Sequence, residues 1–112
     1  MQFAGTPTYM APELFQKRQY DHSVDVFAFG CLLWEIINRK VPYDGMDPTD
    51  ISSKVIKGEK LEDHALVQVD MRLADCVEAC RAVEPGKRPS FKEISYLLNQ
   101  VKEDLAKKGG SS

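Results

Sequence analysis

The sequence predicts an all-α domain, and three observations carry that prediction. Nine consecutive residues without charge, Val26 to Trp34, are bounded by Asp25 and Glu35. A run of this length is far short of the roughly 20 apolar residues a membrane span needs, and it is apolar all round, which predicts a helix buried on every side. Leu73, Cys76, Val77 and Cys80 recur at i, i+3, i+4 and i+7, the period of one helix face. Phe91, Ile94, Leu97, Leu98, Val101 and Leu105 form a second such face near the C-terminus. No stretch alternates apolar and polar residues convincingly enough to read as a strand.

The elements follow in order. Pro7 and Pro12 keep the residues before them out of helical conformation, so Gly5 to Ala11 reads as an extended or looped segment. Pro12 suits a first helical position and opens a short helix over Glu13 to Gln16. Residues 17–22 are polar and loop-like. The apolar helix spans Ser23 to Asn38, with Ser23 as the expected N-cap, Asp25 in the first turn and Arg39 and Lys40 closing the end where the dipole favours cations. Val41 to Gly45 reads as a turn, because Asp44-Gly45 tolerates positive φ. Asp47-Pro48-Thr49-Asp50 starts a helix that runs to about Lys57 and stops at Gly58. Residues 59–69 form a loop. Asp70 caps a helix to about residue 83, Glu84 to Pro89 is a rigid turn, and Ser90 with Glu93 makes a capping box for the last helix, 90–107. Residues 1–108 read as one domain, followed by a flexible tail, 109–112.

The bulk numbers narrow the function. The chain has 112 residues, a formal net charge of −2, 43% hydrophobic and 29% charged residues, so one modest soluble core is expected. An acidic balance argues against nucleic acid or an anionic membrane as partner. Cys31, Cys76 and Cys80 are an odd number without a framework spacing, which fits reduced thiols and a cytoplasmic setting, and no signal segment is visible at Met1 to Pro7. Cys76 and Cys80 share a helix face, but only His22 and His64 could complete a four-ligand site, and neither has the spacing. Buried core thiols are therefore expected, and no metal.

Three motifs in order resemble the C-terminal half of the large lobe of a protein kinase. Gly5-Thr-Pro-Thr-Tyr-Met-Ala-Pro-Glu13 resembles the end of the activation segment, its substrate-docking loop and the Ala-Pro-Glu motif. Asp25-Val-Phe-Ala-Phe-Gly30 resembles the start of the central lobe helix, with Phe27 for the usual Trp, and Arg88-Pro-Ser-Phe91 resembles the arginine motif before the final helix. Thr6-Pro7 and Tyr9 suit the serine/threonine type. Trp34-Glu35-Ile36, Pro42-Tyr43 and the Cys80 to Phe91 region are similar to the tyrosine-kinase-like branch, although Arg81 stands where that branch often has Trp.

The resemblance implies roles for particular residues. Gly5, Thr6, Pro7, Thr8 and Tyr9 would form the docking loop for a protein substrate. Ala11 and Pro12 complete the motif, and Glu13 and Arg88 would form a buried ion pair, whereas two solvated charges would be worth under about 1 kcal/mol. Asp25 would accept hydrogen bonds from the catalytic loop, Gly30 belongs to the helix motif, and Leu32 and Ile36 match positions that anchor the family's hydrophobic spines. Phosphoryl transfer also needs a glycine-rich loop, a phosphate-pairing Lys, magnesium-binding Asp and Asn and a catalytic Asp. None of those motifs occurs in the 112 residues, so no catalytic, cofactor or metal residue is assigned here. ATP and magnesium are implied for the intact kinase only.

Two functions compete on this reading: part of a serine/threonine kinase, or a catalytically dead lobe that binds kinase partners or substrates. Either would use the docking loop and the helix at 47–57. Leu32 and Ile36 are expected to leave an exposed apolar surface through which the chain self-associates.

Overall fold

The computed structural model describes residues 7–61 and 70–110. Among these residues all regular structure is helical. A 3₁₀ turn, Pro7–Tyr9, precedes α1 (Pro12–Phe15), α2 (Ser23–Asn38) and α3 (Pro48–Ile56); α4 (Met71–Cys80), a second 3₁₀ turn (Pro85–Lys87) and α5 (Phe91–Gly110) follow. Gly5, Thr6 and the greater part of the loop at 59–69 lie outside the described residues.

The chain is arranged around α2, which separates two bodies of core. On one side Val24, Phe27 and Cys31 pack with Ala11 before α1 and with Ile51 and Val55 of α3. On the other, Val26 and Trp34 meet Leu73, Ala74, Cys76, Val77 and Cys80 of α4 and Ile94 and Val101 of α5. The expectation of burial on every side is corrected here. The stripe of α2 that carries Asp25, Leu32 and Ile36 faces outward, with Leu32 44% and Ile36 63% exposed, because the described neighbours cover only two sides.

Several ends differ from the sequence reading for local reasons. Ser23 is the first residue of α2 rather than its cap; the Asp21 carboxylate accepts from the Ser23 amide at 2.9 Å and does the capping. Pro7 tightens the first segment into a 3₁₀ turn, with the Met10 amide donating to the Pro7 carbonyl. Asp47 holds the N-cap position of α3 but its side chain makes no cap bond. α4 ends at Cys80, short of residue 83: the Ala82 amide donates to the Ala79 carbonyl in a tighter turn, and the Ala82 and Val83 carbonyls accept from the Arg88 guanidinium. The last helix extends through Gly109 and Gly110, so the expected tail is helical over those two residues. Asp70 and the Ser90–Glu93 box cap their helices as local spacing predicts: the Asp70 carboxylate accepts from the Arg72 amide at 2.8 Å, and Ser90 and Glu93 exchange two bonds.

The approach of α4 to α2 is set by Gly30. A Cβ built there would lie 2.7 Å from the Cys80 Cβ, closer than van der Waals packing allows. Gly30→Ala is therefore expected to force the two helices apart at a cost of about 1–3 kcal/mol. The thermal midpoint should fall by roughly 4 °C or more per kcal/mol; an unchanged midpoint would show that α4 does not pack on α2 at this point.

Candidate functional site

The site begins with the short segment Pro7–Glu13. Ala11 is fully buried under α2 and α3, and Pro12 at the first position of α1 turns Glu13 inward, where it is 4% exposed. A carboxylate this deep needs a partner, and Arg88 supplies it from 75 residues away. The guanidinium Nη1 donates to Glu13 Oε2 at 2.7 Å and Nη2 to Oε1 at 2.8 Å, a bidentate fork.

The remaining donors of Arg88 are also used. Nε donates to the Ala82 carbonyl at 2.9 Å, and Nη1 reaches the Ser23 carbonyl at 3.2 Å and hydroxyl at 3.4 Å. The guanidinium carbon lies 5.1 Å from the centre of the Phe27 ring. Arg88 thus ties α1, the start of α2 and the segment between α4 and α5 to one point. Phe27 replaces the Trp expected from the resemblance and presents its ring to two cations, since Arg81 also stands 5.1 Å from it.

A second tie holds the segment Pro7–Tyr9. The Tyr9 hydroxyl donates to a carboxylate oxygen of Glu35 on α2. That hydrogen bond, with burial, pushes the Tyr9 phenol up to about 12. Sequence reading assigned Tyr9 to the loop but gave Glu35 no role. Its only signal was a carboxylate ending an uncharged run, and the two residues are 26 apart.

Arg81 is the other residue that sequence reading missed. Its Nη2 donates to the Tyr43 hydroxyl at 2.7 Å and its Nε to the Cys31 sulfur at 3.4 Å. The planar guanidinium fills the space between Phe27 and Tyr43 and secures the turn in which Tyr43 adopts a φ of 59°. Of the remaining expected residues, Pro7, Thr8 and Tyr9 are half-buried on the 3₁₀ turn against α2 and α3, Gly30 is buried against α4, and Asp25, Leu32 and Ile36 lie on the open stripe of α2. The structure therefore brings Tyr9 and Glu13 onto the scaffold and sets Asp25 apart from them.

The sequence matches a known family. Residues 3–98 fit the family described as protein tyrosine and serine/threonine kinase, and the chain belongs to it. The chain is 43% identical, over 93% of its own length, to a probable LIM domain-containing serine/threonine-protein kinase of Dictyostelium discoideum, of which it covers 16%. It is 33% identical over 87% of its length to the serine/threonine-protein kinase STY17 of Arabidopsis thaliana, covering 17% of that protein. It is 33% identical over 89% of its length to mitogen-activated protein kinase kinase kinase 7 of Drosophila melanogaster, covering 15%. The chain thus spans less than a fifth of the length of each.

Burial alone would push the Glu13 carboxyl up, but the hydrogen bonds from Arg88 and the backbone outweigh it and hold Glu13 below its ordinary 4.5. A depressed carboxyl contributes stability that is present above its unfolded value and lost as pH falls through its folded value. The difference in thermal midpoint between the chain and Glu13→Gln should therefore be constant above about pH 5.5 and shrink below the ordinary carboxylate value. A difference that stays the same down to pH 3 would contradict the ion pair.

Proposed function

We propose that these residues form the substrate-side helical scaffold of a serine/threonine protein kinase. The observation that carries the reading is the bidentate Glu13–Arg88 pair, which fixes the docking segment to the helices behind it. Phosphoryl transfer is chiefly positioning and charge stabilisation, so a rigid platform for the protein substrate is a chemical requirement of the reaction. Gly5, Thr6, Pro7, Thr8 and Tyr9 would present that platform, with Tyr9 anchored to Glu35. ATP and magnesium would be held by parts of the intact kinase outside these residues, which carry none of the nucleotide motifs. Among the described residues no helix is long and apolar enough to cross a membrane, and a cytoplasmic setting fits the three free thiols.

The exposed stripe with Leu32 and Ile36 favours a second reading, a lobe that binds a kinase partner or another copy of itself without catalysing anything. In both readings the docking loop and α3 meet the protein partner, and the chain has no nucleotide site of its own. Magnesium-ATP at millimolar concentration should leave the thermal midpoint of the chain unchanged. A clear upward shift, the signature of a ligand bound to the folded state, would overturn the proposal.

A further inference from the structure

Outside the docking segment, the most concentrated group of reactive side chains is the thiol pair on α4. Cys76 and Cys80 are one helical turn apart, both buried, with their sulfurs 4.0 Å from each other. Beside them lies a cavity of about 330 Å³ between α4 and the start of α5. Cys76 forms part of its wall together with Ala79, Ile94 and Leu97, and Arg72 and Glu93 also line it. Cys31 belongs to the other body of core and accepts a bond from Arg81.

We propose that Cys76 and Cys80 form a site for univalent copper, a soft two-coordinate cation held between the two sulfurs and reached through the cavity beside Cys76. The chemistry of the ligands selects the ion: thiolates favour soft cations over magnesium or calcium. A tetrahedral zinc site needs four ligands, and among the described residues no three His, Cys, Asp or Glu side chains gather to form one. Two coordinate bonds of about 2.3 Å, as for zinc–thiolate, span up to about 4.6 Å when collinear, so sulfurs 4.0 Å apart reach a shared ion with only a small rotation.

Two thiols give up two protons to the solvent as one cuprous ion enters, with no change in oxidation state, leaving a complex of charge −1. The bond to Cys76 and burial push the Cys80 thiol well up, against a smaller lowering by the nearby Arg88 guanidinium, so its proton leaves only as the soft ion takes its place. The resulting bridge would join one turn of α4 at the place where Cys80 meets Gly30 of α2.

The test is an anaerobic titration of the reduced chain with a cuprous acetonitrile salt, in competition with a chromogenic cuprous chelator. One ion should bind per chain, with an ultraviolet thiolate-to-copper band. Changes around a metal's ligands already cost about 10–100-fold in affinity, so Cys76→Ala should weaken binding by at least about 100-fold. The near-isosteric Cys76→Ser should do the same, Cys31→Ser should leave binding unchanged, and far-ultraviolet circular dichroism should show each variant folded. Copper binding that survives both Cys76 substitutions in folded protein would overturn the site. Equal loss in Cys31→Ser, or equally tight binding by the urea-unfolded chain, would overturn it as well.

Discussion

The structure depends most on a single buried charge, the carboxylate of Glu13. Its motif requires Pro12 before it, and Pro12 and Ala11 are buried where the chain passes beneath α2. The geometry leaves Glu13 no route to water, so everything around it serves to satisfy it. A buried ion pair is not stabilising in itself, since removing two charges from water costs about what their attraction returns. What it does is penalise every arrangement in which the partners are apart, by about 3–5 kcal/mol for a stranded charge. That penalty makes the position of the segment Pro7–Glu13 depend on a residue 75 places further along the chain.

Arg88 can serve this way because its fork is rigid and its donors are numerous. Two go to Glu13, and the rest collect the Ala82, Val83 and Ser23 carbonyls, so one side chain fixes the end of α4, the start of α2 and α1 together. Arg81 performs the parallel task one layer away, between Phe27, Tyr43 and Cys31. Phe27 is shared by both guanidinium groups, and it is among the largest fully buried side chains. The tie from Tyr9 to Glu35 adds a second fastening for the loop, on the opposite end of α2 from Ser23. The segment Pro7–Glu13 is thus fastened near both ends of α2, by Arg88 beside Ser23 and by Glu35.

Much of the fold was legible because its signals are local. Asp70 two residues before the Arg72 amide, and Ser90 three before Glu93, are capping patterns that operate within a single turn. The apolar periods of α4 and α5 likewise act over neighbouring turns. The errors fall where a distant group competes for a local one. Ser23 looked like a cap, but Arg88 occupies its hydroxyl and Asp21 takes the role. α4 is shorter than its period suggests, because the chain tightens at Ala82, whose amide donates to the Ala79 carbonyl, and turns its next carbonyls to Arg88.

The candidate site divides along the same line. Glu13 and Arg88 were legible through motif order, not through spacing, since nothing local pairs residues 75 apart. Glu35 and Arg81 were not, because each is an ordinary charged residue until the fold delivers Tyr9 or Tyr43 to it. The open stripe of α2 was half legible: Leu32 and Ile36 were expected to point outward, yet composition alone had placed the whole helix inside.

The central claim is that Glu13 and Arg88 act as one unit. A double-mutant cycle on thermal or urea unfolding, with Glu13→Ala, Arg88→Ala and the double variant, measures it directly. Each single substitution should cost about 3 kcal/mol or more and the second should cost little once the first is made, giving a coupling energy of about 3 kcal/mol. Additivity of the two single losses to within about 0.5 kcal/mol would contradict it.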